Sequence, residues 1–408
     1  MAENGRLLTM NPPPPSNNTV RVRMIDTTAT LTAKAECFLR PKLPGHDLLS
    51  MTAVAFLIEH EGLGKKAMFD LGVRKDFWNY PPAVARRLET VIPGIKVDRD
   101  VTEILEEGGC SLDRIDDIIW SHSHWDHTGS TFLFPKSTRL VYGKGTGPFP
   151  AYPEDPNSPL NSNDFEGRPL LEIKYTDLRI GPFPAHDFYG DGSLYLLDSP
   201  GHLPGHLCAL ARTTPDTFVF LGGDICHFAG DFRPSAEISL PDYIPEDAFA
   251  VSSASKMDGK AARKKYPMPC PCSISTDPHP QKTLSPDVIP ERTPFFQLSR
   301  HEHSSYKDPD VAEKTLLSMQ EHFDSDLNVL VLIAHDPSLL VHVPSFNHEP
   351  SLDLNGWKEK GWKEKCHWGW LGELPRHAKD GSLIGPGMRE KPIVEGVWRN
   401  GVRVNGSA

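Results

Sequence analysis

The chain lacks the sequence features that mark membrane proteins, disulfide-stabilised secreted proteins and serine hydrolases. Its 408 residues contain no apolar run of the roughly 18 residues that a transmembrane helix needs. The seven cysteines are odd in number and mostly scattered, which is typical of reduced thiols. A Gly-x-Ser-x-Gly motif, which would position a serine nucleophile, is missing. The first residues show no charged-then-apolar signal, so we expect a cytoplasmic protein.

Positive charge is also scarce in this sequence. Lysine and arginine number 43 against 54 aspartates and glutamates, which gives a formal net charge of −11. A nucleic-acid partner would need a basic face, so we expect none, and we expect no membrane partner either. Hydrophobic residues make up 38% of the chain, which is enough for one elaborated domain with a large core. The sequence does not indicate an oligomeric state.

The most informative segment is a cluster of metal-ligand residues, His122-x-His124-x-Asp126-His127. It follows residues 115–120, an apolar segment that predicts a buried strand. Side chains two positions apart point the same way in an extended chain, so His122 and His124 can converge on one point. After a turn, Asp126 and His127 can face a second point nearby. Imidazole and carboxylate ligands favour Zn²⁺, Fe²⁺ or Mn²⁺ over Mg²⁺ or Ca²⁺.

Partners for this cluster are found after three later strand-like segments. One ligand-type residue follows each of them: His202 after residues 194–197, Asp224 after residues 217–221, and His335 after residues 328–334. His202 lies in a turn rich in proline and glycine, which holds it at the mouth of the preceding strand. Ligand loops of layered α/β proteins lie just beyond buried strands. The ordered set therefore indicates a metal site assembled from several strand ends.

These residues resemble the pattern of the metallo-β-lactamase superfamily, and within it the branch of lactonases that act on acyl-homoserine lactones. The resemblance rests on the His122–His127 cluster, the turn at 200–206, Gly223-Asp224 and the terminus at 334–336. It covers residues 20–235 and 305–340. It implies an α/β fold, a four-layer αββα sandwich with the site along one edge of the sheets.

The resemblance also implies a binuclear zinc site. One zinc ion would be held by His122, His124 and His202. The second would be held by Asp126, His127 and His335, and Asp224 would bridge the two ions.

The implied activity is hydrolysis of a cyclic ester, a lactone, by a hydroxide that bridges the two metals. A metal pair about 3.5–4 Å apart lowers the pKa of bound water toward about 7. Asp126 is placed to bind a metal and to pass a proton, and the expected partner is a small-molecule cyclic ester or amide. Four alternatives remain: a lactam or cyclic carbamate such as a benzoxazolinone, a thioester as in glyoxalase II, an iron-dependent persulfide dioxygenase, and a non-catalytic binding protein. Retention of every ligand-type residue argues against the last two.

One position departs from the lactonase pattern. Lactonases of this branch usually have a tyrosine three positions after the bridging aspartate, where its hydroxyl can touch the substrate carbonyl. Here that position is His227. An imidazole can also donate a hydrogen bond, so His227 is a candidate catalytic residue. The change equally fits a loop histidine without a role in catalysis, or a substrate of another class.

Composition predicts three parts of the chain. Residues 1–19 contain four consecutive prolines and predict a disordered tail, and residues 20–345 would form the hydrolase domain. Within that domain, residues 228–305 are rich in proline and serine and predict an insertion near the substrate mouth. Residues 346–408 form a tryptophan-rich extension. We expect its tryptophan rings to be buried as the extension packs on the rest of the protein. Alternatively, the rings would line a pocket or form a dimer contact.

Periodicity predicts several individual elements. Helices are expected over residues 82–92 and 100–107, and another begins at Asp308 with Pro309 in its first turn. That helix should bury Ala312, Leu316, Met319 and Phe323. Strands are expected over residues 20–31, 51–58 and 67–71, and a long loop over residues 143–170.

Overall fold

The computed structural model of this chain describes residues 11–146, 150–241, 279–285, 287–374, 376–377, 383–384 and 393–404. The α-helices in these ranges are α1 (Pro82–Val91), α2 (Val101–Glu107), α3 (Trp125–Thr128), α4 (Pro309–Met319), α5 (Leu339–His342) and α6 (Trp362–Cys366). A π-helical turn, Gln320–Asp324, continues α4.

The strands are short and fall into two large sheets, one intermediate sheet and two pairs. Their bounds are β1 (Arg21–Asp26), β2 (Ala29–Lys34), β3 (Leu39–Arg40), β4 (Leu48–Met51), β5 (Val54–His60), β6 (Lys65–Phe69), β7 (Gly94–Val97), β8 (Asp117–Ile119), β9 (Arg139–Tyr142), β10 (Leu170–Glu172), β11 (Arg179–Ile180), β12 (Phe183–Asp187), β13 (Leu194–Asp198), β14 (Leu207–Arg212), β15 (Phe218–Leu221), β16 (Gln297–Leu298), β17 (Val329–Leu332), β18 (Arg376–His377), β19 (Leu383–Ile384), β20 (Gly396–Arg399) and β21 (Val402–Val404).

Two six-stranded sheets form the centre of the fold. Their strand orders are β1-β5-β6-β8-β9-β10 and β11-β12-β13-β14-β15-β17. In the first sheet β6, β8 and β9 are parallel, and in the second β15 and β17 are parallel. Since the carboxyl ends of parallel strands meet at one edge, the loops after β8, β15 and β17 can share a site.

Three hydrophobic cores separate the layers of the fold. Phe56 and Phe69 of the first sheet share a buried core with Leu332 of the second. On the outer face of the first sheet, α2 packs through Ile104. On the outer face of the second sheet, α4 packs through Met319. Helices therefore cover both outer faces of two stacked sheets, which is the predicted αββα arrangement.

All three predicted helices are present, and two of them begin with a side-chain cap. Asp100 and Glu103 form a capping box at the start of α2. The Asp308 carboxylate accepts a hydrogen bond from the Val311 amide, and Pro309 is the first residue of α4. The expected inner face of α4 and its continuation is buried.

The single strand predicted over residues 20–31 is wrong, because the chain turns within it. Thr28 has a positive φ of 60°, and its amide donates to the Asp26 carboxylate at 2.9 Å. This turn sends β1 into the first six-stranded sheet and β2 into a five-stranded sheet of order β21-β20-β7-β2-β4. Both strands alternate in polarity, so periodicity alone does not reveal the turn.

Residues 11–19 differ from the predicted disordered tail, while residues 1–10 lie outside the described residues. The segment is extended along the second sheet. The Arg212 guanidinium donates to the Pro14 carbonyl at 2.6 Å, and the Ser16 hydroxyl donates to the Asp191 carbonyl at 2.6 Å. A proline-rich segment can dock in this way because its carbonyls find donors on the body.

The tryptophan-rich extension packs into the same cores as the rest of the chain. Trp357 and Trp362 lie in the core between the two large sheets. Trp368 and Trp370 lie in the core outside the second sheet. Beyond them, β20 adds in parallel to β7. The expected tail wrapped on the body is thus what the described residues form. No helix in the described part of the chain is both long enough and apolar enough to span a bilayer.

A buried lysine attaches the extension to the second sheet. The Lys363 ammonium donates to the carbonyls of Asp324, Asp326 and Val329 at 2.6, 2.9 and 2.7 Å. These carbonyls lie at the end of the π-helical turn and the start of β17. Lys363 is only 6% exposed, so without it the carbonyls would lack their charged donor in a buried environment.

We expect Lys363→Met to lower the free energy of unfolding by about 3 kcal/mol, because buried carbonyls would lose a charged donor. Denaturant unfolding would measure this loss. The matched control is Lys365→Met in the same helix, since Lys365 is exposed and donates to the nearby Lys360 carbonyl. Equal stability of the two variants would contradict the assigned role of Lys363.

Candidate metal centre

The predicted ligands lie together at one edge of the two large sheets. His122 and His124 follow β8, and α3 begins directly after His124, so Asp126 and His127 lie in its single turn. His202, Asp224 and His335 follow β13, β15 and β17. The structure brings these candidates into two groups, His122 with His124, His202 and Asp224, and Asp126 with His127 and His335.

In the first group three imidazoles converge on one point. His202 Nε2 lies 3.1 Å from His122 Nε2 and 2.8 Å from His124 Nδ1. Asp224 Oδ2 lies 3.3 Å from His202 Nε2 and 3.5 Å from His122 Nε2. Four potential ligand atoms of this kind, gathered around one point, match the tetrahedral N/O environment that zinc prefers.

The second group forms on the other side of Asp224. Asp224 Oδ1 lies 3.0 Å from His127 Nε2 and 2.9 Å from His335 Nε2. Asp126 Oδ2 lies 3.5 Å from the same His335 nitrogen. The two oxygens of Asp224 therefore face different groups, Oδ2 the first and Oδ1 the second.

The ligand atoms of the second group are close together without being hydrogen-bonded. Within the described residues, His127 Nε2, His335 Nε2 and Asp224 Oδ1 are buried and have no hydrogen-bond partner. Their separations of 2.9–3.0 Å would suit hydrogen bonds. The atoms are therefore unpaired because their orientation does not meet the angular requirement of a hydrogen bond. Buried polar atoms that point toward one position without hydrogen-bonding to each other are suited to bind a cation there. The residues present thus fit the metal that the sequence implies.

Burial sets the protonation of the histidines in the first group. It lowers the pKa of His122 and His202 well below the usual value and that of His124 to about 3. These imidazoles are neutral at physiological pH, which is the form that binds a metal. Burial alone would raise the pKa of Asp224, but the imidazoles of His127 and His335 hold it well below the usual value. Asp224 is therefore a carboxylate.

Further side chains orient the candidate ligands. The Asp70 carboxylate contacts His127 Nδ1 at 2.7 Å and accepts the Ser121 amide at 2.7 Å. His335 Nδ1 donates to the Thr52 carbonyl at 2.6 Å. In both histidines this leaves Nε2 facing Asp224. Such partners fix the ring orientation of metal-binding histidines.

His206 supports the backbone of Asp224. Its Nε2 accepts the Asp224 amide at 3.0 Å, and its Nδ1 donates to the Ser199 carbonyl at 3.0 Å. Both ring nitrogens are thus engaged away from the ligand groups. This places His206 behind the candidate centre, in the supporting role that its position in the 200–206 turn suggests.

His227 lies inside the cluster of imidazoles. Its Nε2 is 3.0 Å from Asp224 Oδ2, and its ring stacks on that of His335 at 5.3 Å. Its Nδ1 contacts the Tyr306 hydroxyl at 2.9 Å. His227 is 4% exposed. It is therefore buried within the centre, whereas an ordinary loop histidine would be exposed to solvent.

A cavity of about 340 Å³ adjoins the centre. Its lining runs from His227 and His335, which are buried, to His348, which is exposed. Phe228 at the start of the predicted insertion also lines it, as does Trp370 from the C-terminal extension. Six segments of the chain therefore enclose the space next to the ligand groups: residues 26–30, 50–52, 98–99, 227–229, 335–348 and 369–373.

An αββα sandwich with histidines and carboxylates gathered at its edge defines the metallo-β-lactamase class of proteins. Residues 53–267 match the profile of the metallo-beta-lactamase superfamily, and this chain belongs to that superfamily.

Similar proteins have been named for hydrolytic activities. Gamma-lactamase FDB1 of Fusarium pseudograminearum is 36% identical over 373 residues, covering 88% of this chain and 84% of the relative. Metallo-hydrolase mfmC of Annulohypoxylon moriforme is 38% identical over 363 residues, covering 87% of each chain. The crystal structure of a quorum-quenching N-acyl homoserine lactone hydrolase aligns with a TM-score of 0.50 at 14% identity, over 81% of this chain and 98% of that one. At that identity the solved structure shows a shared fold alone.

Sequence reasoning missed three groups around the centre. Tyr306 lies in a polar loop, 299–308, with no periodic signal, and its contact with His227 spans 79 positions. The Thr52 carbonyl is a backbone group, and any residue type would supply it. Ser121 adjoins the histidine cluster, but a lone serine carries no chemical signature.

Proposed function

We propose that this chain is a hydrolase that opens a small cyclic amide or ester with the help of two zinc ions. The proposed ligands are His122, His124 and His202 for one ion and Asp126, His127 and His335 for the other, with Asp224 shared. The observation that carries the proposal is the division of the Asp224 carboxylate, whose oxygens each lie 2.9–3.5 Å from a different set of imidazoles.

Different residues of the centre have different roles in the proposed ring opening. When bound, a zinc pair supplies Lewis-acid activation of a carbonyl and makes water nucleophilic near neutral pH. His227 lines the cavity and is placed to donate a hydrogen bond to the ring carbonyl. The Asp126 carboxylate lies 3.5 Å from His335 Nε2, and we assign it the proton released from water.

A lactam is the preferred ring type. The relative named gamma-lactamase is 36% identical along most of both chains, which supports a cyclic amide as the substrate. His227 at the position of the lactonase tyrosine supports it too, since a nitrogen leaving group needs a proton that an imidazole can supply. A lactone is the second candidate, and it is supported by the resemblance of the proposed ligand set to that of lactonases.

The adjoining cavity is the proposed substrate pocket. Its volume of about 340 Å³ lies at the low end of the range for small-molecule sites. The insertion contributes Phe228 to its wall, and the C-terminal extension contributes Trp370 and Glu373. The Glu373 carboxylate accepts the Ser50 amide at 2.9 Å, which fixes the extension against β4. We propose that both segments shape the space available to the substituents of the ring.

Metal analysis combined with a turnover screen tests the proposal. Protein purified without chelator should contain about two equivalents of zinc per chain, as expected for two separate N/O ligand sets. It should hydrolyse a γ-lactam or a γ-lactone faster than an acyclic amide, ester or thioester of the same size. Removal of the metal should abolish turnover, and adding zinc back should restore it.

Two outcomes would contradict the proposal. A plateau at one equivalent of iron, with consumption of oxygen on a persulfide, would make the protein a dioxygenase. Full zinc loading without hydrolysis of any ring or thioester would leave a binding protein on the same scaffold.

A further inference from the structure

Tyr306 is buried directly behind His227, on the side away from the cavity. Its hydroxyl lies 2.9 Å from His227 Nδ1, and the Tyr306 side chain is not part of the cavity wall. The two residues are 3% and 4% exposed. The phenol is not part of the cavity wall, so any effect on the reaction passes through its neighbours: its hydroxyl contacts His227, and its ring meets His202 edge-on at a centroid distance of 5.7 Å.

The loop that carries Tyr306 is fixed at both ends. Arg87 of α1 donates to the His303 carbonyl at 2.9 Å and to the Ser305 hydroxyl at 3.0 Å. On the other side, the Lys307 amide donates to the His202 carbonyl at 2.9 Å. The loop that carries the phenol is thus held by one helix and by the loop of a candidate ligand. These hydrogen bonds fix the position of the Tyr306 hydroxyl next to His227.

The contacts on the two sides of the His227 ring select one tautomer. A neutral imidazole carries a single proton on one of its nitrogens. Nε2 lies 3.0 Å from the Asp224 carboxylate, which can only accept a hydrogen bond. Nδ1 faces a phenol, which is protonated at neutral pH and can donate. Both contacts are satisfied when Nε2 carries the proton and Nδ1 accepts from Tyr306.

We infer that Tyr306 is a positioning residue that holds His227 as the Nε2–H tautomer, with its N–H directed toward the metal centre and the cavity. The inference rests on the proposed function, in which His227 donates to the carbonyl of a ring in that cavity. In the opposite tautomer Nε2 would carry a lone pair, which repels both the Asp224 carboxylate and a carbonyl oxygen. The Tyr306 hydroxyl thereby keeps the proton on Nε2, the nitrogen that faces Asp224, without touching the substrate.

The first test is Tyr306→Phe, which removes the hydroxyl and keeps the ring. On a ring substrate we expect kcat to fall about 10- to 100-fold with KM nearly unchanged, as for other partners that orient a functional histidine. Nitrogen-15 NMR of histidine-labelled, zinc-loaded protein should show Nε2–H in the wild type and a mixture of tautomers in the variant. The matched control is Tyr189→Phe, because the Tyr189 hydroxyl is buried without a hydrogen-bond partner in the described residues. It should change neither readout.

A double-mutant cycle shows whether Tyr306 acts through His227. In a His227→Phe background, Tyr306→Phe should have almost no further effect on kcat, since the group it orients is gone. Losses that multiply in the double variant would overturn the inference. So would an Nδ1–H signal for His227 in the wild type. If the wild type opens no ring at all, the proposed function fails, while the NMR result still decides the tautomer independently.

Discussion

Alanine at position 224 should abolish ring hydrolysis and remove most of the bound metal from the purified protein. Within the described ranges, the Asp224 carboxylate faces both sets of imidazoles, at 2.9–3.5 Å. Without its charge, only the Asp126 carboxylate among the proposed ligands would offset the repulsion between two adjacent cations. We expect activity to fall at least about a thousandfold, because metal chemistry supplies the reaction. Asp224→Asn should lose most metal as well, since an amide oxygen carries no net charge.

The fold of the Asp224 variants should survive, because the three hydrophobic cores contain no ligand residue. Circular dichroism and metal analysis of the same samples would check this. A suitable control is Asp164→Asn, since Asp164 is a buried carboxyl outside the centre whose pKa burial raises to about 7. That variant should keep its metal. Global unfolding of Asp224→Ala alone would make the centre a structural site and not a catalytic one.

Phenylalanine at position 227 should lower kcat roughly ten- to a thousandfold while changing KM much less. The reason is that the His227 N–H is proposed to strengthen its hydrogen bond as charge develops on the carbonyl oxygen. Steady-state kinetics on a γ-lactam and a γ-lactone would measure the effect. Because His227 Nε2 is also 3.0 Å from Asp224, metal content must be measured on the same preparation.

Tyrosine at the same position separates the two ring types. His227→Tyr restores the phenol expected of a lactonase and should keep or raise activity on simple lactones. It should depress activity on a lactam, whose nitrogen leaving group needs a proton donor. Identical kinetics for the wild type and both variants on every ring would show that His227 has no part in turnover.

The sequence predicted the fold and which candidate ligands gather at one sheet edge, because the resemblance that implied both rests on local motifs. The cluster from His122 to His127 spans six positions, and each later ligand follows an apolar strand at a fixed edge of the sheets. Helix α4 was predictable in the same way, since Asp308 and Pro309 mark its start. Such signals need no knowledge of what packs against them.

Features that depend on contacts distant in sequence were not predictable. The docking of residues 11–19 depends on a guanidinium at position 212, and the partner of His227 lies 79 positions away. The tryptophans of the extension fit neither helical nor strand spacing, because turns between them send the rings into two different cores. Composition can suggest burial in such cases but not the partner.

Trp370 and Glu373 have a consequence for how this protein could diverge. They line the cavity from positions 35 and 38 residues beyond the last proposed ligand, His335. Mutations in that stretch of the gene can therefore remodel the accepted ring without disturbing the residues that break its bond. Exchanging residues 369–373 between related chains should transfer the preference for one ring substrate over another. A change of substrate would then require no change in the ligand residues.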